Sequence, residues 1–139
     1  MLKRIILNGL YYSGAQKVLG HFTGGMGAIL MLHRVNHHKP TDFSPNSHLT
    51  VSPEFLDRLI LSCKKAGYEF VSMDEVHERI SNPQAYVKSK KFLCFTLDDG
   101  YKDNAEYAVP IFKRHSVPYL IYVAPGLVEA TSSLWWEDL

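Results

Sequence analysis

The sequence predicts an α/β protein built on a parallel sheet, and three observations carry that expectation. Short apolar runs at Ala28 to Leu32, Tyr68 to Val71, Phe92 to Leu97 and Val117 to Val123 alternate with helical stretches and show no internal repeat. That order gives parallel strands joined by crossover helices. The third of these runs ends in Asp98, Asp99 and Gly100, which places two carboxylates at a strand terminus, where active sites of α/β proteins collect. Hydrophobic residues make up 46% of the 139 residues and charged residues 21%, enough apolar material for a core and no sign of disorder.

In chain order, residues 1–27 are expected to form an amphipathic helix and a linker. Ile5, Ile6, Leu10, Tyr11, Val18 and Leu19 recur at helical spacing, whereas Asn8, Ser13, Gln16 and Lys17 interrupt the apolar stretch. The segment is therefore expected to be neither a signal peptide nor a membrane span. Its expected role is packing against the sheet, with shallow membrane contact as the alternative. Residues 28–139 hold the remaining elements. Asn36 to Leu49 is a long polar loop carrying His37, His38 and His48, of a length that fits a binding loop or lid.

Ser52 caps a helix that starts at Pro53, with Glu54 at its positive end, Phe55, Leu56, Leu59, Ile60 and Cys63 on one face, and Gly67 as the stop. Ser72 to Glu75 spells a capping box, with Val71 and Val76 spaced for a hydrophobic staple. Ser81 to Lys91 is a solvated connection. Asp103 or Asn104 is expected to cap the next helix, which runs to about Arg114, and Pro110 inside it should force a kink.

The chemistry centres on Asp98 and Asp99. Side chains of a straight strand alternate faces, so adjacent aspartates reach one site only if the backbone leaves strand geometry between Leu97 and Gly100. Gly100 permits that turn. Two carboxylates brought together repel each other unless a cation is shared, which divides their roles into base and ligand. An Asp-Asp-Gly turn with solvated acids is the bland alternative for the tripeptide alone.

The wider context, Thr96-Leu97-Asp98-Asp99-Gly100-Tyr101 followed by a helical stretch and the strand from Val117 to Val123, resembles the first motif of the polysaccharide deacetylase family, carbohydrate esterase family 4. That motif is usually written T-F-D-D-G, and Leu97 stands here for its phenylalanine. Upstream, Ile29 to Val35 looks like the family's first strand, and the resemblance covers the chain from about Ala28 onward. It implies a partial (β/α) barrel of the polysaccharide deacetylase (NodB-like) type, the N-terminal part only, truncated after the first catalytic motif. It assigns the catalytic base to Asp98 and a metal ligand to Asp99.

The implied reaction is hydrolysis of an N-acetyl group on a polysaccharide or oligosaccharide, assisted by a divalent metal for which zinc is the default. The family's second motif, H-[ST]-x-x-H, supplies the other metal ligands. His115-Ser116-Val117-Pro118-Tyr119 begins like it but has Tyr119 where the second histidine belongs, and it lies too close to Asp99. The expectation is therefore an incomplete site, inactive alone, in a half barrel with open edges that favour self-association. A non-catalytic fragment or pseudoenzyme with a glycan- or protein-binding surface is the alternative. A haloacid dehalogenase-type phosphohydrolase needs a residue between its two aspartates, and here they touch.

Among secondary candidates, His33 ends the first strand and so shares the rim with the acids, either touching substrate or supporting a neighbour. Tyr101 follows the turn, and Trp136 beside Trp135 is either a sugar platform or an apolar anchor. The loop histidines are expected to be solvated. Cys63 and Cys94 are expected to be reduced core residues. Lys plus Arg total 15 against 14 acids, a balance that gives no nucleic-acid footprint. Without signal peptide or span, the expected location is cytoplasmic, with peripheral membrane association as the variant.

Overall fold

A computed structural model describes residues 2–15, 20, 24–37, 46–129 and 131–132. Its elements in chain order are α1 (Leu2–Tyr12), β1 (Gly27–Leu32), β2 (Arg34–Val35), a 3₁₀ turn (Ser47–Leu49), β3 (Thr50–Val51), α2 (Pro53–Lys65), β4 (Glu69–Phe70), α3 (Met73–Ser81), a second 3₁₀ turn (Pro83–Tyr86), β5 (Phe92–Leu97), a π-helical turn (Asn104–Ala108), α4 (Val109–His115), β6 (Tyr119–Ile121) and the short α5 (Pro125–Val128).

The strand β5 organises the molecule. All six of its residues are buried, as in parallel strands generally, although on one side the neighbouring β1 leaves Ile29 and Met31 exposed. Neighbours occupy both of its edges. On one, β1 runs parallel along its whole length, Gly27 opposite Phe92 through Leu32 opposite Leu97. On the other, β4 lies beside Phe92 and Leu93, and β6 beside Phe95 to Leu97. The hydrogen bonds explain the division: the odd-numbered carbonyls of Leu93 and Leu97 accept from Val71 (3.0 Å) and Tyr122 (2.8 Å), whereas the amide of Asp98 donates to Leu32 on the β1 side (2.9 Å). A separate parallel pair joins β2 to β3. The sheet is open: among the described residues β1, β4 and β6 pair only with β5.

Alternation along β5 creates two cores. Phe95 and Leu97 face α2 and α4, where Leu56, Ile60, Ile111, Phe112 and Val35 close around them. Phe95 sits between Phe70 (5.9 Å, stacked) and Phe112 (5.1 Å, tilted), and Phe112 stacks on Tyr119 at 5.1 Å, separations at which aromatic pairs add to plain burial. Phe92 and Cys94 face the other way, into a smaller cluster with Val71 and Val76. Burial raises the thiol pKa of both Cys63 and Cys94, and both are free.

Helix starts follow the sequence closely. Ser52 Oγ accepts from the amide of Phe55 at 3.1 Å, with Pro53 opening α2. Ser72 Oγ accepts from Glu75 at 3.2 Å, and Val71 and Val76 are buried together as a staple. The capping box itself is half used. The Glu75 carboxylate turns instead to Arg79, which is buried among Glu69, Glu75, the Lys90 carbonyl and the rings of Tyr86 and Phe92.

Three expectations need correction. α1 does not pack against the sheet: every side chain from Lys3 to Ser13 is exposed and none enters either core. Phe55, placed on the apolar face of α2, is largely exposed. Neither Asp103 nor Asn104 is a cap. Asp103 has helical backbone angles and makes no capping bond, and Asn104 is buried with Oδ1 and Nδ2 both lacking a hydrogen-bond partner. Pro110 sits in the first turn of α4, and the break in the helical ladder expected of it falls just before that helix. The helical ladder shifts just before it, with the amide of Val109 reaching back five residues to Asn104. A π turn of that kind absorbs the register conflict that the proline creates.

Candidate functional site

The site is built where β1, β5 and β6 end. The strand β5 stops at Leu97, and the backbone then turns through two consecutive left-handed residues, Asp99 at φ 69° and Gly100 at φ 68°. Aspartate tolerates this conformation better than most residues, but it still costs about 1 kcal/mol or more. Gly100 is constrained twice, by its positive φ and because a Cβ there would stand 3.1 Å from Cγ2 of Val123. The departure from strand geometry that the adjacent acids demand thus takes place at Asp99 itself, with Gly100 completing it.

Asp98 and Asp99 consequently line one cleft of about 450 Å³. In the parallel register Ile29 and Met31 stand beside Cys94 and Thr96, and paired residues of parallel strands share a face. One step further along that face lies Asp98. Thr96 and the two acids line the cleft together with Ile29 and Met31 from β1, Met73 from the start of α3, and Tyr122, Val123 and Ala124 from the segment after β6. The walls are apolar and open to solvent, with Met31 61% exposed and Ile29 48%.

The segment after the turn is anchored from behind. Asp103, buried, accepts from Arg34 Nε at 2.9 Å and from Asn36 Nδ2 at 2.8 Å, with the Val35 amide at 3.5 Å. The Arg34 guanidinium also lies 4.6 Å from the centre of the Tyr101 ring, a cation–π distance. These contacts tie the strand following β1 to the helical segment following Asp98 and Asp99. No local pattern announces them, since the partners are 69 and 67 residues apart. The one available sign is the pair of polar residues, Arg34 and Asn36, that flank Val35 just beyond the first apolar run.

His33 follows Leu32, whose carbonyl holds the Asp98 amide, so it stands at the same end of the sheet as the acids; it does not line their cleft. Tyr101 is half-buried under Arg34 and also lies outside the cleft lining. Trp135, Trp136 and His38 lie outside the described residues. His37 is exposed, 3.3 Å from Glu54 and edge-on to Tyr107, and His48 is exposed in the first 3₁₀ turn.

His115 is remote from the acids. Its Nε2 pairs with Asp57 Oδ1 at 2.7 Å between α4 and α2, and Ser116 forms the left-handed end of α4. His115 and Arg114 together hold the Asp57 carboxyl below its usual pKa. The likeness of His115-Ser116 to a metal motif is therefore local spelling only.

Among the described residues no three His, Cys, Asp or Glu side chains come together as a metal-holding group. A catalytic zinc takes three protein donors. Asp98 and Asp99 alone do not fit such a centre.

No family model matches the chain, and no curated protein matches it. Solved structures do. A Streptococcus pyogenes deacetylase, PplD, in complex with acetate, is 31% identical, covering 77% of this chain and 46% of its own, at a TM-score of 0.60. IcaB from Ammonifex degensii matches at 18% identity and TM-score 0.54 over 70% of this chain and 38% of its own. A de-N-acetylase from Aggregatibacter actinomycetemcomitans matches at 22% and 0.51 over 68% and 36%. At their identities the last two speak for the fold alone. The chain spans less than half the length of each. By its motif residues and by its fold, the chain resembles part of a polysaccharide deacetylase, the NodB-like domain of carbohydrate esterase family 4.

Proposed function

We propose that this chain carries the acidic part of a glycan N-deacetylase site, on parallel strands that form part of a (β/α) barrel. The observation that carries the reading is the shared cleft of Asp98 and Asp99 at the strand ends, in a chain 31% identical to a solved deacetylase. Asp98 is the general base: it takes a proton from the attacking water as that water adds to the acyl carbon, and the C–N bond then breaks as that proton passes on to the leaving nitrogen, giving acetate and a free sugar amine. Asp99 contributes one carboxylate toward a divalent cation, zinc by default; among the described residues no group of three donors forms around it. A cation bound there would supply Lewis-acid chemistry. The apolar walls beside the acids suit the faces of a sugar ring, and the substrate class is an N-acetylated glycan.

With Asp99 as the one assigned ligand, residues 1–139 alone are close to inactive, and their open apolar face favours self-association. A non-catalytic glycan-binding role is the second reading, favoured by the lack of a three-donor group among the described residues.

Acetate release from N-acetylated chitooligosaccharide, measured beside metal content in the longest protein that carries this sequence, tests the assignment. Asp98→Asn should keep the metal and lose turnover by at least about a hundredfold, the usual scale for a general base; Asp99→Ala should lose the metal. Substantial turnover by Asp98→Asn would defeat the base role. Glycan binding without turnover in any version would favour the second reading.

A further inference from the structure

No described helix is long and apolar enough to cross a membrane, yet α1 leaves large apolar side chains in water along its whole length. Ile5 is 62% exposed, Leu7 65% and Tyr12 83%, and Ile6, Leu10 and Tyr11 are exposed as well. A helix of 11 residues has little stability of its own, so an exposed apolar stripe on one calls for something to cover it. At 100° per residue Ile5, Ile6 and Leu10 share one side, with Leu7 at its border, while Arg4 and Asn8 stand opposite and Lys3 lies where its long stem can carry the ammonium outward.

Charge decides what the cover is. α1 carries Lys3 and Arg4 and no aspartate or glutamate, and the first acid in the chain is Asp42. A second α1 laid alongside in parallel would bring the two Lys3-Arg4 pairs together. Tyr11 and Tyr12, edge-on at 5.3 Å, close the helix with two amphipathic rings of the kind that settle at a lipid–water boundary.

We infer that α1 is an interfacial helix that holds the chain on an anionic lipid surface, its Ile5-Ile6-Leu10 side entering the acyl boundary and Lys3 and Arg4 meeting the headgroups. The attachment is peripheral and reversible. It would hold the cleft of Asp98 and Asp99 near substrate presented at that surface, but it does not depend on what the cleft does.

Co-sedimentation of the full chain with vesicles of phosphatidylglycerol and phosphatidylcholine in equal parts, against phosphatidylcholine alone, tests this. The wild type should sediment with the anionic vesicles and less with the neutral ones, and added salt should release it. The Ile6→Asp/Leu10→Asp variant should lose more than about tenfold in partitioning, because two apolar side chains no longer enter the lipid. Lys3→Glu/Arg4→Glu should lose several-fold on anionic vesicles alone. Both should melt at the wild-type temperature, since these side chains enter neither core. Three results would overturn the inference: no sedimentation of the wild type, unchanged sedimentation of Ile6→Asp/Leu10→Asp, or equal binding to neutral vesicles. If the double aspartate variant instead turned a dimer into a monomer, or lowered the melting temperature, without any vesicle binding, the cover would be a second copy or the body of this chain.

Discussion

The two faces of the strand β5 differ in what they meet, and the difference separates stability from chemistry. One face sends Phe95 and Leu97 into a core closed by α2 and α4. The other passes from Cys94, which is buried, to Thr96 and then Asp98 at an open cleft whose walls include the exposed Ile29 and Met31. Residues one position apart in the same strand therefore answer to different demands. The covered face is fixed by packing, whereas the open face keeps apolar and acidic groups in reach of a ligand or of further protein.

The sharpest way to break that contrast is truncation on each face. Phe95→Ala should cost about 3 to 5 kcal/mol, because it removes a ring packed against two others and leaves a cavity. Met31→Ala, a comparable loss of volume on the same sheet, should change stability by less than about 0.5 kcal/mol. Urea unfolding of both variants measures this, and equal costs would mean that the open face is covered in solution.

Next in size is Asp103→Ala, expected to cost about 2 to 3 kcal/mol by releasing Arg34 and Asn36, with Asp103→Asn costing less because the shape stays. Hydrogen exchange should rise at the amides of residues 98–101 if the anchor steadies the acid turn; protection unchanged there would confine Asp103 to the core.

The smallest effect concerns pH. Asp57 has its pKa lowered by His115 and then Arg114, so its contribution is present above the ordinary carboxylate value of about 3.9 and is lost as pH falls through the depressed one. The melting temperature of the wild type should drop more steeply below about pH 4 than that of Asp57→Asn. Parallel curves would show that the pair between α2 and α4 carries no such linkage.

What the sequence disclosed tracks how local the cause is. The start of α2 was legible to the residue because Ser52 and Pro53 act within a few positions, whereas the apolar spacing misplaced Phe55. The acid turn was legible because adjacent aspartates before a glycine permit few backbones, although Asp99 proved to carry a left-handed φ as well. Pairing of β1 with β5, burial of Arg79 between two glutamates and the clasp of Asp103 on Arg34 join distant segments, and no local propensity encodes such meetings. The exposure of α1 was missed for a related reason, since periodicity shows that a helix has an apolar side and not what lies against it.

Calorimetric titration of zinc into residues 1–139, beside Asp98→Asn and Asp99→Ala and with acetate release followed in parallel, tests most directly whether the open face holds part of a deacetylase site. Weak binding is expected, lost in Asp99→Ala and largely kept in Asp98→Asn, with acetate release near zero, because one or two carboxylates leave a divalent ion mostly to water. Binding indifferent to Asp99, or tight one-to-one binding with efficient acetate release by this chain, would contradict the assignment.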